Sequence, residues 1–126
     1  MRHVIPVVLL AVAAIHALPL AGVLGAARLE SMYGVPVRDP SLEILLRHRA
    51  VLFGLLAAGL AVAAFRPDWH GAAPLAGSAS VVSFLVIAWG VGGYGPAIAT
   101  VVRADLVALA LLAAGGIAHA LRPVAA

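Results

Sequence analysis

Residues 42–65 read LEILLRHRAVLFGLLAAGLAVAAF, an apolar run interrupted by Glu43, Arg47, His48 and Arg49. What three adjacent basic side chains do inside such a run depends on the medium around it. Composition identifies that medium. Of the 126 residues, 64% are hydrophobic and 10% are charged, and the mean hydropathy is +1.13. Soluble domains carry about 45–50% apolar and about 25% charged residues. With so little charge, a soluble fold of this size could not cover its surface with polar groups. The stretch is therefore read as a membrane span, and the chain as a membrane protein.

Working outward, four apolar segments emerge at 4–25, 42–65, 74–92 and 96–121. Each lies near the roughly 20 residues needed to cross a bilayer. The first, after Met1, Arg2 and His3 and with small residues near Ala26, has the outline of a signal peptide. It is longer than an h-region of about 7–15 residues and is followed by three further segments, so a retained span is expected. Turn chemistry punctuates the connectors: MYGVPVRDPS, RPDWHGA and GGYGP. Asp39-Pro40-Ser41 ends where the second helix should begin. Lipid cannot satisfy an open sheet edge, and short connectors make sequential helices antiparallel neighbours. The expected fold is all-α, a transmembrane up-down four-helix bundle forming one domain over residues 1–126.

Small residues recur at helical spacing: Ala13, Ala17, Ala21 and Gly25; Gly54 and Ala58; Ala72, Ala76 and Ser80; Ala110 and Ala114. Such faces let helix backbones approach closely within lipid, and they serve a homo-oligomer equally well. The formal charge of +3 comes from eight Arg and no Lys. These are placed singly at segment ends, without the basic stripe that nucleic-acid binding requires. The expected partner is the lipid bilayer. The face holding the first and third connectors (side B) carries Arg28 and Arg38, and the opposite face (side A) carries Arg2, Arg66 and Arg122. Adding Arg47, Arg49 and Arg103 reverses that tally, so the positive-inside rule gives no orientation. With no Cys in the chain, disulfides and thiolate sites are excluded. Trp69, Trp89, Tyr33 and Tyr94 fall near span ends, where aromatic belts sit.

The remaining polar residues converge. Arg47, His48 and Arg49 lie roughly 8–10 Å below the side-B start of the second helix at about 1.5 Å per residue. Asp105 and Arg103 enter the fourth helix from the same side, and His16 lies roughly 13 Å from the side-B end of the first. Arg47 shares a face with Glu43 and Gly54, and Arg49 lies about 200° around, among Leu45, Leu46, Phe53 and Leu56. This predicts an inward Arg47 paired with Asp105 and Glu43, and an Arg49 that snorkels to the interface. Glu43, Arg47, His48, Arg49, Arg103, Asp105 and His16 thus form a candidate intramembrane polar cluster. It reads either as an ion-pair belt that sets helix register or as a functional pocket. Pro19, three residues after His16, predicts a kink that frees backbone carbonyls. His16 reads first as a hydrogen-bonded core histidine, and a bis-His haem with His48 is the sharper alternative.

Gly90-Val91-Gly92-Gly93-Tyr94-Gly95 matches G-x-G-x-x-G but lacks the βαβ setting and the later acidic residue of a dinucleotide site. It is read as a turn. Without HExxH, nucleophile-elbow or P-loop motifs, no catalytic residue, metal or cofactor is assigned.

HALPLAGVLG, MYGV, LLRHRAVLFGLL, SVVSFL and VVRADLVALALL together resemble a group of small uncharacterised bacterial four-span membrane proteins. The resemblance covers nearly the whole chain and brings no established activity. Members sometimes carry the label phosphopantetheine adenylyltransferase. That soluble α/β nucleotidyltransferase family has an H-x-G-H signature, and no His here begins one. Small multidrug transporters have similar length but use an acidic residue in the first span, which here holds only His16. The expectation is a non-enzymatic, multi-pass protein of a bacterial inner membrane, structural or accessory in role. The alternative is a small transporter or a lipid- or quinone-binding protein that uses the cluster as a polar pocket. A structural belt requires a fully paired, inaccessible cluster; a binding protein requires a cavity reaching Arg47 and Asp105.

Overall fold

The structure, a computed structural model, describes residues 3–121; Arg2 and Arg122 of the side-A tally lie outside them. The described residues are helical, with no strand among them: α1 (Val4–Ala17), a 3-10 stretch (Leu18–Leu24), α2 (Ala26–Tyr33), α3 (Pro40–Ala64), α4 (Ala72–Val91) and α5 (Pro96–Ala120). Four spans, Val4–Leu24, Pro40–Ala64, Ala72–Val91 and Pro96–Ala120, are long and apolar enough to cross a membrane. The chain is a multi-pass membrane protein built as a helical bundle.

Local sequence explains the boundaries. Asp39 caps α3, its carboxylate accepting from the Ser41 N–H at 2.8 Å. Pro40 occupies the first turn, where its missing N–H costs nothing and its fixed φ suits the helix. The helix therefore starts two residues before the apolar run. At the end of α1, Pro19 cannot donate to the Ile15 carbonyl. That carbonyl instead accepts from the Leu18 N–H, three residues on, and the tighter 3-10 winding begins there.

The spans form a ring in the order α1, α3, α4, α5. α1 packs against both α3 and α5, and α4 closes the ring opposite it. Ile5, Leu9, Val12, Leu60, Val81 and Leu112 are among the core residues at the ring's centre. The small-residue faces are used differently from expectation. Ala13 is buried, but Ala72, Ala76, Ala110 and Ala114 face outward. Close approach falls to their neighbours: Gly77 meets Leu112, and a Cβ at Gly115 would stand 3.1 Å from Val8 Cγ1. Every helix here has several small faces, so spacing alone does not select the buried one.

The first connector contains an unexpected element, the eight-residue α2. It buries Leu29 and Tyr33, one turn apart, in a second cluster with Val37, packed against Leu46 of α3 and Ile98 and Val101 of α5. The Glu30 carboxylate accepts from the Val37 N–H at 2.7 Å and ties the following loop back onto the helix. Glycines with positive φ flank it, Gly25 at 129° and Gly34 at 66°. At the opposite face of the bundle His70 is buried in the α3–α4 turn.

Candidate functional site

The 3-10 stretch sets up the site. It leans on α3 and α2 but makes little contact with α5, whereas α1 before it packs firmly on α5. Gly54 permits the close contact with α3, since a Cβ there would lie 2.7 Å from Leu20 Cδ1. The divergence opens a crevice between the end of the first span and α5, roofed on side B by α2. A cavity of about 290 Å³ fills it, at the lower edge of the about 300–1,000 Å³ typical of small-molecule sites.

Three of the predicted polar residues meet at this cavity: His16, Arg49 and Asp105. His16 is 2% exposed. Its Nδ1 lies 2.9 Å from the Val12 carbonyl and its Nε2 lies 3.2 Å from Ser80 Oγ on α4. A carbonyl only accepts, so Nδ1 carries the proton, and in the neutral ring Nε2 accepts from the Ser80 hydroxyl. The ring also stacks on Phe53, centroids 5.7 Å apart. The reading of His16 as a hydrogen-bonded core histidine holds, with Ser80 as a partner the sequence did not suggest.

The two arginines exchange their expected roles. Arg49, expected to snorkel, turns inward: its Nη1 donates to Tyr33 Oη at 2.7 Å. Its guanidinium carbon lies 4.5 Å from the Phe53 ring centroid, 5.5 Å from Tyr33 and 6.0 Å from Phe84. An Arg within a span costs at least about 2.5–3.5 kcal/mol. A charge-assisted hydrogen bond of about 1.5–3 kcal/mol and cation–π contacts of about 0.5–2 kcal/mol each are large enough to offset that. Arg47, expected inward, is half-exposed. It pairs with Glu43 at 3.3 Å, as the helical spacing predicted, and its Nε donates to the Val23 carbonyl at 3.0 Å. It thus satisfies an orphan carbonyl at the end of the first span and does not reach the cavity wall with Asp105. The physical reason for the exchange is that lipid and bundle interior are equally apolar. A greasy helix face is therefore no guide to the outside.

His48 and Arg103 are exposed and do not join the cavity; Arg103 Nε turns back to the Ala99 carbonyl at 3.3 Å. With His48 outward and both His16 nitrogens engaged, the pair cannot face a common haem. Other residues of the wall were not assigned to the cluster from sequence. α2 contributes Arg28, Met32 and Tyr33, and α5 contributes Thr100, Val101 and Ala104 beside Asp105. Tyr33 is 8% exposed, not a member of an interfacial belt. The available signal was RLESMY, in which Leu29 and Tyr33 mark one apolar helical face in an otherwise polar segment. Among the described residues, Asp105 makes no ion pair within 4.0 Å; the Arg47–Glu43 contact is the pair present.

Chemically, the site presents donors from Arg49 and Arg28, the Asp105 carboxylate and hydroxyls from Tyr33 and Thr100 on an otherwise apolar wall. Comparison with protein-family models, curated proteins and solved structures finds no match for this chain.

Proposed function

We propose that this chain is a membrane-embedded binding protein. It admits a membrane-borne amphiphile through the crevice between the 3-10 stretch and α5, and holds the polar end near Arg49, Asp105 and His16. The observation that carries this reading is the cavity of about 290 Å³, with charged side chains of three helices, α2, α3 and α5, and the His16 ring of a fourth on its wall. A purely structural belt would have these groups paired with one another and closed off. Leu18, on the cavity wall, is 69% exposed on the bundle's outer side, which favours entry from lipid. A bacterial inner membrane belongs to the same proposal and rests on the resemblance and on the helical spans.

The test is native mass spectrometry and an absorption spectrum of the full chain purified in mild detergent, beside Ala104→Phe, which fills the cavity. The wild type is expected to retain an adduct of lipid size. Ala104→Phe should reduce its occupancy at least about tenfold, equivalent to about 1.4 kcal/mol of binding. A quinone or haem would declare itself in the spectrum. Ligand-free protein in both preparations would rule the reading out.

A further inference from the structure

We infer that the ligand is an apolar chain bearing one oxyanion headgroup, a carboxylate or phosphate ester, and that Arg28 and Arg49 clamp that headgroup. The inference rests on the cavity being a binding site and goes on to name what it selects. The charge inventory is the argument. Two guanidiniums, Arg28 and Arg49, and one carboxylate, Asp105, line the wall, leaving an excess of one positive charge when His16 is neutral. The other carboxylates of the side-B half do not line the wall and make contacts of their own. Glu30 accepts from the Val37 N–H, Asp39 from the Ser41 N–H, and Glu43 pairs with Arg47.

The donors are also free. Among the described residues Arg49 spends one N–H on Tyr33 Oη, and the rest of its five-donor fork is uncommitted. Arg28 makes no hydrogen bond or ion pair among them. It is exposed in the first turns of α2, at the side-B rim, where a headgroup meets the interface. Arg49 lies deeper, fixed by its three rings. Two guanidiniums at different depths suit a planar or tetrahedral oxyanion, which accepts from both. The remaining wall includes Ile15, Leu18, Pro19, Met32 and Val101, surfaces for a hydrocarbon chain. A free anion in water would leave the apolar wall unused, so the ligand comes from the bilayer.

The test places the full chain in nanodiscs of zwitterionic lipid and measures retention of radiolabelled dodecanoate. Competitors are dodecyl phosphate, dodecanol, dodecyltrimethylammonium and inorganic phosphate. Dodecyl phosphate is expected to compete within a few-fold of dodecanoate. Dodecanol should be at least about tenfold weaker, the equivalent of one lost charge-assisted hydrogen bond, and the cation and inorganic phosphate should not compete. Arg28→Gln and Arg49→Gln should each weaken binding at least about tenfold, while Arg28→Lys retains most of it. If Arg49→Gln fails to fold, Arg28→Gln carries the test, because Arg28 holds no described partner. Equal competition by dodecanol, or wild-type binding by Arg28→Gln, would overturn the clamp; equal competition by inorganic phosphate would overturn the chain-bearing ligand. Failure to retain dodecanoate in a protein that copurifies with a neutral lipid, lost in Ala104→Phe, defeats this inference alone. Failure in both experiments defeats the binding reading itself.

Discussion

Arg47 and Arg49 stand two residues apart on one helix, yet they do opposite work. About 200° of helical rotation separates them. One closes the backbone of the first span at the rim; the other carries a cation into a cage of aromatic rings. The difference has a measurable consequence. Arg47→Gln removes a half-exposed ion pair worth under about 1 kcal/mol and an exposed bond to the Val23 carbonyl that water at the rim replaces, so its unfolding free energy in mixed micelles should fall little. Tyr33→Phe removes the oxygen that accepts from Arg49 and should cost about 1.5–3 kcal/mol. A larger loss for Arg47→Gln than for Tyr33→Phe would show that Arg49 is not the inward residue. From sequence the presence of both cations in the side-B half was legible, and so was the Glu43–Arg47 pair at i,i+4. Which one faced inward was not, because that choice turns on Tyr33, 16 residues away along the chain.

At the scale of elements, α2 governs the site. Its eight residues are too few for a span and too polar for the apolar scan that reveals one, which is why the connector read as a loop. By contrast, the start of α3 was legible, since Asp39-Pro40-Ser41 encodes its own cap. α2 is held at both ends by backbone that side chains disfavour. Gly25 has φ 129° and ψ −177°, a region essentially reserved for glycine. Gly25→Ala should cost about 1–3 kcal/mol and raise amide hydrogen exchange chiefly within residues 26–33. Unchanged exchange there, or an equal rise across all four spans, would show that α2 is not set by this hinge. Pro19 shows a graded kind of legibility. A break in the first span follows from its missing N–H, but the direction of the divergence, and so the cavity, depends on how Leu20 seats against Gly54.

At the scale of the whole molecule, the four spans and their alternation were legible from length, hydropathy and turn residues, because a bilayer leaves few other ways to satisfy a backbone. Their order around the ring was not, since small residues occur on several faces of every helix. The absence of Cys from the chain gives a clean background for testing the alternation. In proteoliposomes of uniform orientation, Ser41→Cys and Tyr94→Cys should react with an impermeant maleimide from one side and Asp68→Cys from the other. Labelling of all three from the same side would disprove the up-down path. The 3-10 stretch bears on the bilayer's thickness as well as on the cavity. Its rise is about 2.0 Å per residue against about 1.5 Å for an α-helix. The 21 residues of the first span therefore reach about 35 Å instead of about 32 Å. α3 and α5, which flank it, have 25 residues each and reach about 37 Å. Hydrophobic mismatch costs fractions of a kcal/mol per Å. The same proline that parts the first span from α5 thus stretches a short span toward the length of its neighbours, so that all three meet the two membrane surfaces nearly together.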